Sequence, residues 1–363
     1  MSSSWGERIR VSIFGGSHTR AIGATVEGLP PGETIDWDLV LEQMARRAPG
    51  QGPTATPRRE ADTPQVLCGL LEGVTTGAPL TAVIENTSQR SRDYDQLKVR
   101  PRPGHADYAA QVKFGGYQDV RGGGHFSGRL TAPLVFAGAV CRQLLERRGV
   151  LVGSHVAQIG AVKEAPFDGV AIDPGELTAL SRATFPVRDP AAKAAMEAVI
   201  AEAKAAGDSV GGVVECAVLG LPAGLGEPIF DGVENLLSSI VYGIPAVKGV
   251  AFGSGFAAAA ALGSQNNDPF YYDGEGRVRT RTNHAGGILG GITTGMPVVF
   301  RAAFKPTPSI AREQDTVNLV TGENVKLSVG GRHDPCIVPR GAPAVEAAAC
   351  IACCELLARA GKL

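Results

Sequence analysis

The chain has 363 residues, 44% of them hydrophobic, and a net charge of -1. That length can bury a sizeable core, and the balanced charge excludes the one-sign surfaces that grip nucleic acid or an anionic membrane. Glycine, at 48 residues, exceeds its usual share of roughly 7%. The glycines cluster in doublets and triplets between strand-like runs, which marks loop chemistry and not low complexity.

The N-terminal MSSSWGERIRVSIFGG lacks the layout of a secretory signal, and no apolar run is expected to reach membrane-spanning length, so the expected compartment is the cytoplasm. Ile9 to Phe14 alternates as a strand and ends at Gly15-Gly16-Ser17-His18-Thr19. That loop suits a reactive imidazole, or simply holds a surface histidine in a turn. Asp36 to Arg47 fits a helix with Asp36 as N-cap. Arg46 and Arg47 at its end could hold a carboxylate or phosphate, or merely complement the helix dipole. Arg58-Arg59-Glu60 adds charge before a strand, Gln65 to Leu71, and Pro79 to Glu85 reads as another. A basic run follows, with Arg90, Arg92, Lys98, Arg100 and Arg102, and leads into Pro103-Gly104-His105-Ala106-Asp107. Next comes Arg121-Gly122-Gly123-Gly124-His125-Phe126-Ser127-Gly128-Arg129, feeding a helix from about Leu130 to Glu146. A glycine-rich loop entering a helix is a ready anion site.

Strands are expected at Leu151 to Ala161, Ser209 to Leu219 and Val247 to Gly253, with helices at Ala191 to Ala206 and Asp231 to Val241. Ser264 to Arg281 reads as a loop with a hairpin. Asn283 to Ser309 opens with Gly286-Gly287, Gly290-Gly291 and Gly295, runs through a strand from Val298 to Phe304, and closes on Lys305-Pro306-Thr307-Pro308-Ser309. This stretch resembles a shelf for a planar, phosphate-bearing cofactor; the alternative is a glycine hairpin that only packs closely. Gly331-Arg332-His333-Asp334 precedes a C-terminal helix, Val345 to Leu357, with Cys350, Cys353 and Cys354 as buried thiols. No linker or repeat divides the chain, so residues 1–363 are expected to form a single domain of α+β layers.

Five of the six histidines, His18, His105, His125, His284 and His333, lie in or beside glycine-rich segments; His155 lies in a plain strand. With the arginines and Asp334 they outline a basic pocket for a small polyanion. Guanidinium groups hold such a ligand in bidentate fashion, and an imidazole protonates a leaving oxyanion near neutral pH. No metal-ligand spacing, Walker loop or dinucleotide fingerprint is present, so no metal is expected.

The strings NHAGGILGGITTGMP, KPTPS, GRHDPC and RPGHADY together resemble the chorismate synthase family, nearly end to end. The resemblance implies a β-α-β sandwich with long glycine-rich active-site loops and a homotetramer. It implies anti-1,4-elimination of phosphate from 5-enolpyruvylshikimate 3-phosphate to give chorismate. Reduced FMN (FMNH2) is required without net redox change, lending electron density while its N5 accepts a proton. NADPH is a candidate reductant. His18 is then the general acid toward phosphate, and His105 steadies the reduced ring. Asp334 assists deprotonation, and Ser17 and Ser127 support these groups. Arg46, Arg47, Arg129 and Arg332 bind substrate anions or the flavin phosphate. His125, Phe126, Ser127, Ala246, Gly290, Lys305, Pro306, Thr307, Pro308, Ser309 and Arg332 form the flavin shelf.

Three departures stand out. The usual Gly-Glu-Ser-His-Gly reads Gly15-Gly16-Ser17-His18-Thr19, the usual Arg-Ser-Ser-Ala-Arg reads His125 to Arg129, and an arginine common near Pro53 is replaced. Two competing readings are a flavin-binding module without catalysis and a flavin oxidoreductase that turns over NADPH.

Overall fold

Two antiparallel five-stranded sheets face each other across a layer of helices, in a computed structural model that describes residues 3–50, 62–87, 96–330 and 333–363. The N-terminal sheet has the order Ser4–Trp5, Arg10–Gly15, Ala21–Glu27, Leu80–Glu85, Gln65–Cys68. The second sheet has the order Val247–Phe252, Val298–Phe304, Gly212–Leu219, Leu151–Ile159, Val162–Lys163. Each sheet turns its apolar face inward, where the helices Thr131–Glu146 and Val338–Arg359 lie. Thr131–Glu146 packs on Ala21–Glu27 and Leu80–Glu85 of the first sheet, and Val338–Arg359 packs on Leu151–Ile159 and Gly212–Leu219 of the second. This is the β-α-β sandwich expected from the family resemblance.

A helix clamped between two sheets has no solvent side, so it must be apolar all round. Thr131–Glu146 is buried from Ala132 to Leu145. Val338–Arg359 is long and apolar enough to cross a membrane, with a mean hydropathy of 1.5, yet 94% of that window is buried inside the protein. It is a core helix, which the reading of apolar runs in the sequence did not anticipate. The two helices touch backbone to backbone. A Cβ on Gly138 would lie 2.3 Å from Cα of Ala347, so only glycine permits this crossing.

The middle layer also carries buried charge. Glu346 accepts from Arg46 Nη1 at 2.7 Å and Nη2 at 3.0 Å, from Arg142 Nη2 at 2.7 Å and from Ser154 Oγ at 2.7 Å. Burial pushes the Glu346 pKa up, but Arg46 and Arg142 outweigh it and hold the carboxyl below its usual range. In the second sheet His155 sits between Glu164 at 2.5 Å and Glu215 at 3.0 Å. The glutamates tie the loop beyond the sheet as well: Glu164 accepts from the backbone of Arg188 and Asp189, and Glu215 from that of Phe167.

Most expected elements are present with shifted ends. Asp36 caps Trp37–Arg47 by accepting from Asp38 N and Leu39 N. The C-terminal helix starts at Val338 and not near Val345, because Pro339 falls in its first turn and Pro343 is accommodated inside it. The strand Ala21–Glu27, the short helices Asp107–Lys113 and Pro174–Leu180, and the hairpin Gln314–Asn318 with Glu323–Leu327 were not anticipated.

Candidate active site

One end of the sandwich opens into a cleft of ≈ 680 Å³. Its walls come from the end of Trp37–Arg47, the turn 102–106, the loop 122–129, the approach to Val247–Phe252, the loop after Val298–Phe304, and the start of the C-terminal helix. Arg47, Arg102, Arg129, Lys248, Lys305 and Arg340 line it, with His105, His125, His333 and, among the described residues, one carboxylate, Asp334. The surplus of cations makes it an anion site.

Three carboxylates organise the guanidinium groups. Asp62, 3% exposed, takes Nη1 of Arg47 on one oxygen and Nη1 of Arg129 on the other. Arg47 also donates to Thr131 Oγ1 at 3.0 Å and Gly128 O at 3.2 Å, and Arg129 to Asn86 Oδ1 at 3.0 Å. Burial lowers the Arg47 pKa to about 10; Asp62 opposes that shift, while Arg340 and Arg129 add to it. The group stays cationic at neutral pH. Burial raises the Asp62 pKa, but the two arginines outweigh it and the net shift is downward.

Asp107 accepts from Arg102 Nε and Nη2, each at 2.8 Å, and holds His105 Nδ1 at 2.5 Å. Burial works against its charge, yet Arg102 and His105 keep the carboxyl well below its usual range. Arg102 donates a further bond to Ser309 Oγ at 3.0 Å, which ties the 102–107 turn to the far wall. Asp334 pairs with Arg340.

The loop 305–309 forms that far wall. Lys305 N donates to Ala246 O at 3.0 Å, and Ala246 itself has φ +74, a strained value for a residue with a side chain. Burial and then Lys248 lower the Lys305 pKa. Neither lysine pairs with a carboxylate among the described residues. Among the described residues the buried Thr307 hydroxyl has no hydrogen-bond partner, which costs free energy unless a ligand group satisfies it.

Ser17 and His18 stand one layer back. Ser17 Oγ donates to Gly122 O at 2.9 Å and lies 3.1 Å from His18 Nδ1. Gly122 lines the cleft at φ +60, and a Cβ there would lie 2.2 Å from the imidazole Cε1 and Nδ1. Gly122 therefore stands between His18 and the cleft. His125 is held at both ring nitrogens, by Gly15 O at 2.7 Å and Ser3 Oγ at 2.8 Å. Phe126 leans on Phe114 with ring centroids 6.3 Å apart, and Ser127 Oγ accepts from Arg129 N at 3.3 Å.

Several sequence expectations are corrected here. Arg46 does not face the cleft: at 2% exposure it is committed to Glu346, Gln43 and Ala183 O in the core. Helical spacing turns Arg46 and Arg47 about 100° apart, so one points inward and the other into the site. Gly290 is in the exposed turn of the Ile288–Leu289 and Ile292–Thr293 hairpin, outside the cleft. Gly286, Gly287 and Gly291 press against the backbones of Gly253, Pro297 and Glu227, so this part of the shelf is close packing. His284 is likewise outside the cleft, beside Asp268. Arg332, Gln51 to Pro53 and Arg58 to Glu60 fall outside the described residues. His105, His125, Phe126, Ser127, Arg47, Arg129, Ala246, Lys305, Thr307, Pro308, Ser309 and Asp334 share the cleft. Pro306 joins them in the same loop without lining the cleft.

The family model for chorismate synthase matches residues 9–357. The chain belongs to the chorismate synthase family. A chorismate synthase of Dehalococcoides mccartyi is 44% identical over 361 residues, covering 99% of this chain and 98% of its own length. Those of Methanothermobacter thermautotrophicus and Thermococcus kodakarensis are each 45% identical, covering 99% and 98% of this chain and 95% and 97% of theirs. A crystal structure of chorismate synthase superposes with a TM-score of 0.73 at 26% identity, covering 98% of this chain and 93% of that one. Within this chorismate synthase fold, sequence reasoning gave no site role to Asp62, Arg102, Lys248 or Arg340. Arg102 had a signal, being next to the His105 turn. Asp62 and Arg340 had none, because nothing in the chain marks that Asp62 will meet Arg47 and Arg129, or that Arg340 will meet Asp334 and the carbonyl of Arg47.

Proposed function

We propose that this chorismate synthase eliminates phosphate from 5-enolpyruvylshikimate 3-phosphate, as a phosphate-eliminating carbon–oxygen lyase with reduced FMN in the cleft. The observation that carries this is the convergence of His105, Arg129, Lys305 and Asp334 on one cation-rich cleft with His18 directly behind Gly122. The cleft suits the flavin: its volume is ample, Lys248 and Lys305 offer charge to a phosphate, and the Thr307 hydroxyl awaits a partner. Residues 305–309, Ala246, Phe126 and His125 would hold the flavin, with Arg332 as a further candidate. When bound, reduced FMN supplies electron density to the breaking C–O bond without being consumed.

The chain's own residues do the rest. Arg47 and Arg129 receive the anionic groups of the substrate, prearranged by Asp62. His18 gives a proton to the departing phosphate, with Ser17 fixing its ring. Asp334 assists the loss of the proton from the substrate ring, so the products are chorismate and phosphate. His105, fixed by Asp107 and Arg102, and Ser127, beside Arg129, support the site. One hydrophobic cluster with members from Ile9 to Leu357 supports a single domain. Homotetramer assembly and a cytoplasmic location are proposed by family analogy.

The test is phosphate release under anaerobic conditions with chemically reduced FMN. His18→Ala and Asp334→Ala should each slow release by about 10²–10⁴-fold, with flavin binding retained. Wild-type rates in either variant refute its role. Reduced FMN binding without phosphate release would reveal a binding module. Consumption of NADPH in proportion to product would reveal an oxidoreductase, and NADPH replacing the chemical reductant without such consumption would show self-reduction of the flavin.

A further inference from the structure

Arg340 stands in the first turn of Val338–Arg359, the rigid helix at the centre of the fold. Its Nη1 pairs with Asp334 Oδ2, and its Nε donates to the backbone carbonyl of Arg47 at 3.0 Å. Both side chains are largely sheltered, at 19% and 13% exposure, and both line the cleft. Asp334 itself is on a loop between residues 333 and 337, with no regular structure to fix it. A loop carboxylate that must meet a proton at one place needs an anchor, because an error of about 1 Å costs up to about 10²-fold in rate. Arg340 is that anchor by geometry: one end of its planar fork is fixed to the end of the helix Trp37–Arg47, and the other holds the carboxylate.

We infer that Arg340 is a positioning residue for the elimination, aiming Asp334 at the cleft while registering it against the substrate-binding Arg47. This rests on the role proposed above for Asp334. Arg340 acts through that carboxylate and not on the substrate. Lysine could pair with Asp334 but lacks the second arm for the Arg47 carbonyl, so Arg340→Lys should rescue in part.

A double-mutant cycle tests this with the anaerobic phosphate assay on full-length protein, folding being checked by circular dichroism. Arg340→Ala should lower kcat by about 10–100-fold with KM changed less than about threefold. Asp334→Asn should lower it further. The double variant should be no slower than Asp334→Asn alone within about twofold, because the anchor has nothing left to aim. Arg340→Lys should fall between wild type and Arg340→Ala; if Arg340→Ala does not fold, this variant and its double with Asp334→Asn carry the test. Multiplicative losses in the double variant, or a raised KM at unchanged kcat, would make Arg340 a substrate ligand and overturn the inference. Arg340→Ala at the wild-type rate beside a crippled Asp334→Asn would also overturn it while sparing the role of Asp334. Asp334→Asn at the wild-type rate would instead remove that role itself.

Discussion

Arg46 and Arg47 are neighbours with opposite duties, and Arg46→Ala separates them. Arg46 gives Glu346 two of its four hydrogen bonds and also reaches Gln43 at 2.6 Å and Ala183 O at 3.0 Å. Removing it leaves a fully buried carboxylate with Arg142 and Ser154 alone. Breaking a buried pair in this way costs about 3–5 kcal/mol. An unfolding entropy of about 2.1 cal/mol/K per residue, over 363 residues, gives about 0.76 kcal/mol/K. The midpoint should therefore drop by roughly 4–7 °C in a calorimetric melt. Below that melt, at 20–25 °C, KM for the proposed substrate should stay within about twofold of wild type, because Arg46 does not reach the cleft. A tenfold rise in KM with an unmoved midpoint would refute the assignment and restore Arg46 to the substrate.

Gly122→Ala places a methyl where the His18 ring lies, on a backbone with φ +60. Phosphate release should fall by at least about tenfold, mainly in kcat, with flavin affinity nearly unchanged in a fluorescence titration; an unchanged rate would show that His18 does not act from behind this loop. His155 is a pH-dependent fastener: burial lowers its pKa, but Glu164 and Glu215 outweigh burial and the net shift is upward. A raised folded-state value means that its stabilisation is complete below the unfolded value of about 6.5 and is lost as pH rises through the raised value. His155→Gln should thus lower the melting midpoint more at pH 6 than at pH 9; an equal loss at both would show the ring to be neutral throughout.

Most of the longer strands and the longer helices were legible in the chain. Asp36 marks its helix start, and Val298 to Phe304 marks a central strand. The core helix Val338–Arg359 was only half legible: it is apolar on every side, and its prolines hid the first turns. The site split along a similar line. His105, Arg129 and Lys305 were readable because they sit in glycine-rich or proline-stiffened loops. Asp62 was not, since an isolated acid in the sequence does not reveal which distant guanidinium it will meet, and Arg340 was not, since nothing in the six residues after Asp334 marks the two as a pair. Gly286 to Gly295 misled for the opposite reason. Glycine pairs serve backbone-to-backbone packing as readily as ligand approach, and only the contacts distinguish the two.

The tight crossing at Gly138 and Ala347 has a bearing on how the chain is made. The slab that both sheets need as a partner is finished only when residues 338–359 arrive, after nearly every strand has been synthesised. Until then the inner faces of the sheets have too little to cover them, and a growing polypeptide must carry that greasy surface exposed on the ribosome. Productive folding should therefore wait for that helix to emerge, and holdase chaperones should engage the chain until it slides into place.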